Sequence, residues 1–322
     1  MENSSTILIY EPKTIIKPGK GFIRLKNGKR NIKIPLIQIK DLIIVGYRDI
    51  NSKLIKSLNE SKINLHFLTH NGKFIGSLNF DYGKNVFLRR SQFSKKNDPL
   101  IFQNIVKAKI ASQNAVIKSF RNKKINSINM TISADANLNE CLGIEGNATR
   151  EYYNKMAKLL KNSDFVFKNR SKHPPKDPLN ALLSLGYTLL SCEIHTLCNI
   201  YGLDPYIGFY HQDYYGRPSL VCDLMEEWRA PIVDKFIWNL INRNELKIND
   251  FKQNNDSSYK LNNKAFKNFL EKWNKWLKED RYTDKILNIE ISRYELLEIQ
   301  IKTFTKYLIG DLPAYIPYAL LN

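Results

Sequence analysis

Alternating apolar and polar residues dominate the first 80 positions of the chain. Runs with this pattern, or wholly apolar runs of similar length, predict strands over residues 6–10, 21–25, 31–36, 42–45, 64–68 and 73–78. Asn27-Gly28 and Asn71-Gly72 separate neighbouring runs, and Asn-Gly is the typical two-residue turn of a hairpin. Residues 52–61 have helical spacing instead. We therefore expect residues 1–80 to form a small β-rich domain with one helix.

From about residue 99 the apolar positions recur with a helical period. Besides a helix that begins there, the spacing predicts helices over 144–161, 178–200, 219–243, 263–278 and 290–309. Residues 81–98 are rich in Arg, Lys and Ser and are interpreted as a basic linker, and the polar segment 249–263 as a solvated loop. The predicted fold class is α+β, with a β-rich domain (1–80), the linker (81–98) and a larger all-α catalytic domain (99–322).

The composition is that of a folded globular chain. Its 322 residues are 43% hydrophobic and 25% charged, which excludes global disorder. We expect no membrane-spanning helix, because no run of about 18 apolar residues stands out. The N-terminus has no basic-then-apolar signal segment, which favours the cytoplasm of a prokaryote. The four cysteines form no CxxC pair, so we expect neither a disulfide framework nor a zinc knuckle.

The net charge of +19 indicates a polyanionic partner, with nucleic acid as the first choice. Residues 84–130 contribute eleven basic residues and one acidic residue, and residues 150–177 add a further net +5. The bias of an AT-rich genome towards Lys, Asn and Ile is an alternative, but it would spread the charge more evenly. The clustering favours a phosphate-binding surface, with Arg89, Arg90 and Arg150 as candidate nucleic-acid contacts.

Glu145 is the first candidate for chemistry. An enzyme that acts on a phosphodiester must offset charge on the attacking and leaving oxygens, and carboxylates with an imidazole that hold Mg²⁺ or Mn²⁺ are the usual solution. Glu145 lies among apolar residues and between Gly143 and Gly146, which permit close packing or the close approach of a ligand. The alternative is an exposed glutamate in the first turn of a helix, where it favours the helix dipole. The local sequence leaves both open.

His211, Asp223 and Glu226 form the second candidate group. The spacing of three places both carboxylates on one face of a helix, where they repel unless a cation lies nearby. Of the five histidines, only His211 is followed within sixteen residues by such an acid pair. A structural histidine and an amphipathic helix with Glu226, Glu227 and its neighbouring arginine in solvent are the alternatives.

The segment between these residues has its own signals. Ser219 is a predicted N-cap of the helix with the acid pair, and Pro231 marks a break or a new helix start. Arg217 lies in a Gly-Arg-Pro turn, where it is a candidate phosphate contact or a partner in a structural ion pair.

Four stretches together resemble the CRISPR-associated protein 1 family, the integrases of CRISPR spacer acquisition. They are Leu-Gly-Ile-Glu-Gly at 142–146 with the arginine and two tyrosines that follow, Asp-Pro-Leu-Asn-Ala-Leu-Leu-Ser-Leu-Gly-Tyr at 177–187, Gly-Leu-Asp-Pro-Tyr-Ile-Gly-Phe-Tyr-His at 202–211, and Gly-Arg-Pro-Ser-Leu at 216–220 that continues into Asp-Leu-Met-Glu-Glu at 223–227. Their order and spacing also match that family. The resemblance covers the whole chain, and the last two stretches together are its most specific part.

The resemblance implies that Glu145, His211 and Glu226 hold a divalent ion, either Mg²⁺ or Mn²⁺. Many members of the family have Asp where this chain has Glu226, so the coordination distance can differ while the role persists. Asp223 is expected to support the site by orienting His211 or a bound water.

The resemblance also implies an activity and partners. Members are endonucleases and integrases that insert short DNA duplexes, the new spacers, into a CRISPR repeat array by attack of a 3′-hydroxyl on a phosphodiester. The implied partners are double-stranded DNA, a second copy of the chain through the β-rich domain, and the small CRISPR-associated protein 2 subunit, with no membrane involved.

Two alternatives remain. One is a nuclease or transposon-type integrase of the same architecture outside CRISPR; we expect no extra DNA-binding domain after residues 309–318, which argues against it. The other is a catalytically inactive DNA-binding subunit, which the presence of all four candidate metal-site residues disfavours.

Overall fold

The computed structural model describes residues 5–28, 30–69, 72, 74–78, 85–122, 124–172 and 174–321. The chain divides into two units, residues 1–84 and 85–322. The first unit is rich in strands and the second is mostly helical, which confirms the predicted α+β class. The boundary between the units lies inside the predicted linker.

Two sheets and one helix form the first unit. The larger sheet has the order β1-β5-β6-β7, with β1, β5 and β6 parallel and β7 antiparallel to β6. Its strands are β1 (Ser5–Ile9), β5 (Ile39–Val45), β6 (Asn64–Leu68) and β7 (Phe74–Leu78). The smaller sheet is an antiparallel meander of β2 (Ile15–Gly19), β3 (Phe22–Asn27) and β4 (Arg30–Pro35). The helix is α1 (Ser52–Glu60).

A single apolar cluster joins both sheets and α1. Ile23 of β3, Leu42 of β5 and Leu54 of α1 are all fully buried in it. The predicted hairpin at Asn27-Gly28 is confirmed, and Gly28 has a φ of 56°, in the left-handed region that such turns require. Strand β2 was not predicted, because Pro18 and Gly19 are residue types that normally indicate a turn rather than a strand. In the second predicted turn, Asn71 lies outside the described residues.

The second unit is built from helices and two short hairpins. The helices are α2 (Val86–Ser94), α3 (Pro99–Ser119), α4 (Leu138–Ala157), α5 (Pro178–Ile200), α6 (Ser219–Trp228), α7 (Lys235–Asn242), α8 (Asn263–Asn274) and α9 (Arg293–Ile309). The hairpins pair β8 (Phe251–Gln253) with β9 (Tyr259–Leu261), and β10 (Arg281–Asp284) with β11 (Ile289–Ser292). Helix α3 packs against both α4 and α6.

Side chains at the helix starts fix where these helices begin. Asn137 and Glu140 form a capping box at α4, and Asp177 caps α5 just before Pro178. A π-helical turn, Arg229–Asp234, connects α6 to α7 without interrupting the helical path, and Pro231 lies inside it. The predicted break at Pro231 is therefore this wider turn, in which the N–H of Lys235 bonds to the carbonyl of Ala230, five residues back.

Several boundaries differ from the prediction. The linker interpretation of 81–98 was wrong for residues 86–94, which form α2, with Leu88 and Gln92 buried. The amide of Gln92 donates to the carbonyls of Asp204 and Ile207, which fixes α2 to the helical unit. The predicted loop 249–263 contains the β8–β9 hairpin, and residues 289–292 are a strand rather than the start of α9. These strands were not predicted because they are short and the turns between them are polar, so the apolar pattern is too brief to indicate a strand.

Helix α5 corrects one further expectation. Its 23 residues are long and apolar enough, by length and composition alone, to cross a membrane. Most of its apolar segment is buried inside the helical unit, which is typical of a core helix. The expectation that the chain contains no such segment was therefore too strong.

Candidate active site

Every residue of helix α6 except Cys222 is buried. Its carboxylates Asp223, Glu226 and Glu227 are only 2%, 4% and 3% exposed. The alternative of an amphipathic helix with Glu226 and Glu227 in solvent was therefore wrong. Buried carboxylates need hydrogen-bond donors or positive charge close by, and each of the three has them.

Asp223 binds the segment that precedes α6. Its Oδ2 accepts the backbone N–H groups of Phe209 and Tyr210 at 2.6 and 3.1 Å. Its Oδ1 accepts the backbone N–H of His211 at 2.9 Å and faces the ring Nδ1 of His211 at 2.6 Å. Because a carboxylate can only accept, Nδ1 donates, and Nε2 is left on the side of Glu226, 3.9 Å from Oε1 of Glu226. Asp223 therefore fixes both the backbone and the ring of His211.

Two small residues let this segment lie close to α6. A Cβ on Gly208 would come within 2.6 Å of the carbonyl oxygen of His211 and the Cβ of Ser219. Ser219 does not cap α6 as predicted: its hydroxyl donates to the carbonyl of Gln212 at 3.1 Å. The hydroxyl closes the loop onto the helix instead.

Glu145 lies well inside α4, because that helix begins at Leu138 rather than at the predicted residue 144. The alternative of a first-turn glutamate was therefore wrong. Thr149, one turn later, donates its hydroxyl to Glu145 Oε1 at 2.8 Å. A Cβ on Gly143 or Gly146 would meet no atom within 4 Å apart from its chain neighbours and the adjacent backbone of α4. These glycines are not required by packing and leave open space beside Glu145.

Lys109 of α3 joins the carboxylates of the other two helices. Its Nζ hydrogen-bonds to Glu145 Oε1 and lies 2.6 Å from Glu226 Oε2. Arg229 donates from Nε to Glu226 Oε1 at 3.0 Å. Burial alone would raise the pKa of Glu226, but Arg229, Lys109 and His211 outweigh it and hold that pKa well below its usual range. Burial would likewise lower the pKa of Lys109, yet Glu226 and Glu145 raise it, so both groups are charged at neutral pH.

Below Arg229 lies a buried network around Asp234. The guanidinium of Arg229 stacks 4.9 Å from the ring centroid of Tyr187. The hydroxyls of Tyr187 and Tyr152 donate to the two oxygens of Asp234 at 2.5 and 3.0 Å. Burial raises the pKa of Asp234 to about 7, although both tyrosine hydrogen bonds act against it. The network supports Arg229 and, through it, Glu226.

Many of these side chains line one cavity of about 330 Å³. Its walls include Glu145, His211 and Glu226, together with the basic residues Lys109, Arg170, Lys172, Arg217 and Arg229. Burial and the nearby Arg229 and Arg170 lower the pKa of Lys172, as expected where positive charge is in excess. A basic cavity with a few carboxylates at its base is suited to hold a phosphate group beside a cation.

The family model for "CRISPR associated protein Cas1" matches residues 7–275 of this chain. The chain belongs to the Cas1 family. A curated relative, "CRISPR-associated endonuclease Cas1 3" of Thermus thermophilus, is 32% identical over 295 residues, which cover 89% of this chain and 87% of the relative.

Two solved structures resemble this Cas1 fold. A "Casposase bound to integration product" has a TM-score of 0.84 at 20% identity and covers 96% of this chain and 92% of its own. A chain of a "Cas6-RT-Cas1--Cas2 complex" has a TM-score of 0.78 at 20% identity, and the match covers 98% of this chain and 36% of that one. These likenesses concern the fold.

The structure brings together Glu145, His211 and Glu226 in one cavity and places Asp223 behind His211. Of the predicted nucleic-acid contacts, Arg217 lines the same cavity, and Arg150 is exposed on α4. Arg89 and Arg90 lie on α2, where Arg90 is exposed and Arg89 is partly buried.

The individual roles of Lys109 and Arg229 were missed. A signal existed for Lys109, since it follows Ile105 by one helical turn and therefore lies on the apolar face of α3, whereas Lys107 does not.

The cavity residues suit a divalent cation, although no three His, Cys, Asp or Glu side chains of the described ranges already form a complete cage. Two carboxylates and one imidazole are donors that Mg²⁺ and Mn²⁺ accept. A carboxylate on the far nitrogen of the histidine is the usual support of a metal-binding imidazole. The ammonium of Lys109 lies between Glu145 and Glu226. The space between these two carboxylates therefore already holds a positively charged group.

Proposed function

We propose that this Cas1-family protein is a metal-dependent DNA endonuclease and integrase that inserts short duplexes into a CRISPR repeat array. The observation that carries the proposal is the convergence of Glu145, His211 and Glu226 on one basic cavity, with Asp223 fixing the imidazole. The Thermus relative is named an endonuclease, and the structurally similar casposase is bound to an integration product, so both relatives support the same chemistry.

Glu145, His211 and Glu226 would hold Mg²⁺ or Mn²⁺. When bound, the ion supplies charge stabilisation to the phosphate oxygens during attack by a 3′-hydroxyl. Arg229 keeps Glu226 in place and charged, and Asp223 keeps Nε2 of His211 facing the site. Arg170, Lys172 and Arg217 bind phosphate oxygens of the DNA. No covalent protein–DNA intermediate is needed, so no Ser or Tyr nucleophile is required.

The proposed partnership with the small subunit draws on the same comparisons. The Cas1-containing chain of the Cas6-RT-Cas1–Cas2 complex is assembled with Cas2, which supports assembly of this chain with the small CRISPR-associated protein 2 subunit. Double-stranded DNA is the proposed substrate, a homodimer through residues 1–80 the proposed assembly, and the prokaryotic cytoplasm the proposed location.

The proposal is tested by joining a short duplex with 3′-hydroxyl ends to a supercoiled plasmid that contains the repeat array. The reaction is run with Mg²⁺ or Mn²⁺, with and without the small subunit, for wild type, His211→Ala and the neighbouring exposed control Gln212→Ala. We expect metal-dependent joining that His211→Ala abolishes and Gln212→Ala retains. A wild type that binds duplex but neither cuts nor joins it under any condition would favour a DNA-binding subunit.

A transposon-type integrase of the same architecture is the second candidate, because a structure of the same fold is bound to an integration product and its title names no CRISPR protein. The same assay separates the two. Joining at the ends of the repeat supports the CRISPR role, whereas joining that ignores the repeat supports the transposon-type role.

A further inference from the structure

Lys109 is the resident cation of the two glutamates. Glu145 lies on α4 and Glu226 on α6. Both contact the ammonium group of Lys109, which lies on α3. Glu226 is 4% exposed and Lys109 is 9% exposed, so water provides little compensation for either charge. A buried carboxylate that loses its counter-charge is strongly destabilising. Lys109 therefore neutralises and holds together two groups that would otherwise repel.

The ammonium also occupies the place that a shared metal ion needs. An ion that both glutamates bind directly must lie where both carboxylates reach it, and Lys109 Nζ is already there, 2.6 Å from Glu226 Oε2. Two cations in that small space repel. We propose that Lys109 competes with the divalent ion: it stabilises the carboxylate pair in the metal-free protein and withdraws when the ion binds, so that it sets the metal affinity of the site. This inference rests on the proposed metal-dependent function.

The neighbouring turn of α3 offers the displaced ammonium a new partner. Ala108 and Ile110 are buried on either side of Lys109, so the backbone is fixed and only the four-carbon side chain can move. Gln113 lies one turn further on the same face of α3 and lines the same cavity. It is 3% exposed, and its amide oxygen has no hydrogen-bond partner in the part of the chain that the structure describes. A buried acceptor without a donor is costly, and the withdrawn Lys109 satisfies it.

The test measures metal binding directly rather than activity. Mn²⁺ binding to the full chain is followed by electron paramagnetic resonance of the free ion for wild type, Lys109→Met and Lys172→Met. Lys172 lines the same cavity, and neither glutamate is among its ion-pair partners in the described ranges, so its variant removes the same charge without removing the competitor. We expect Lys109→Met to bind Mn²⁺ at least about tenfold more tightly, and Lys172→Met within about threefold of wild type.

Thermal unfolding provides a second readout. In EDTA, Lys109→Met removes the cation that both glutamates share and leaves Glu226 paired with Arg229, so its Tm should fall by roughly 6–12 °C, with much of the loss recovered in Mn²⁺. Gln113→Leu keeps the ion pair but removes the receiving acceptor. Its Tm in EDTA should equal or exceed that of wild type, because the unsatisfied acceptor is gone, and it should bind Mn²⁺ about threefold or more weakly. This variant tests the exchange even if Lys109→Met does not fold.

Each part of the inference can fail separately. Mn²⁺ affinity that is unchanged or weaker in Lys109→Met would overturn the competition, and unchanged affinity in Gln113→Leu would overturn the withdrawal to that residue. Mn²⁺ binding to wild type that His211→Ala leaves unaltered would instead contradict the proposed metal site itself. Tight, His211-dependent binding that Lys109→Met further tightens supports both.

Discussion

Replacing Asp223 with Asn tests the inference that this carboxylate organises the site. Asp223 accepts four hydrogen bonds, from three backbone N–H groups at 2.6–3.1 Å and from the ring of His211 at 2.6 Å. The amide of Asn has one oxygen in place of two, so two of these donors would face an NH₂ group that cannot accept. Hydrogen bonds to a charged group contribute about 1.5–3 kcal/mol each, so the expected loss is roughly 3–6 kcal/mol.

The assay is thermal unfolding in EDTA, followed by circular dichroism. For a unit of this size, about 1 kcal/mol corresponds to roughly 2–4 °C, so the Tm of Asp223→Asn should fall by roughly 6–24 °C. Asp213→Asn is the matched control, because Asp213 lies in the same segment, has a half-exposed side chain and pairs with Lys96 at the surface. Its Tm should stay within roughly 4 °C of wild type.

The comparison with His211→Ala sharpens the result. That variant loses the ring but keeps the three backbone hydrogen bonds to Asp223, so we expect it to be more stable than Asp223→Asn. A Tm for Asp223→Asn within about 2 °C of wild type would refute the reasoning, because it would mean that the backbone bonds contribute little. A Tm for His211→Ala that falls as far as that of Asp223→Asn would show that the stability comes from the ring contact.

Three further predictions concern single residues. Glu145→Ala should abolish strand transfer while duplex affinity at fixed salt stays within about threefold, with a steep salt dependence in both proteins; loss of binding in the folded variant would remove Glu145 from the catalytic set. Gly146→Ala should raise the Tm by roughly 1–4 °C, because glycine costs about 0.5–1 kcal/mol inside a helix, yet reduce joining if DNA uses the open space there; undiminished joining would contradict that use. Asp234 has its pKa raised to about 7 by burial, so its stabilising contribution is present below about pH 4 and lost as the pH rises towards 7. Asp234→Asn should therefore gain stability relative to wild type between pH 4 and pH 8, by up to roughly 4 kcal/mol, in a series of thermal melts, and a constant difference would argue against the shift.

Local sequence was sufficient where one segment determines its own structure. The strands around Asn27-Gly28 and the long helices α3 and α5 have strong periods and clear end signals, and both are confirmed. The acid pair of α6 could also be placed on one face, because a spacing of three is a property of any helix. Helix α2 was not predicted because its basic and polar residues obscure the helical spacing of its few buried positions.

The contacts that complete the site depend on residues far apart in the chain. Lys109 is 36 residues from Glu145 and lies in a different helix from both of its carboxylate partners, so only the packing of α3 against α4 and α6 brings them together. The bonds of Asp223 to Phe209 and Tyr210 depend on how closely a loop approaches α6, which the sequence hints at only through Gly208. Periodicity identified the elements, whereas tertiary packing selected which charged side chains meet.

The π-helical turn at Arg229–Asp234 makes the length of this segment as consequential as its chemistry. One residue of an α-helix corresponds to a rotation of about 100°. A single-codon deletion within the turn, even one that spares every charged residue, would rotate α6 relative to α7 by about that angle. Glu226 and Asp234 could then no longer face the same cavity. Insertions and deletions here should therefore be as damaging as replacement of a carboxylate.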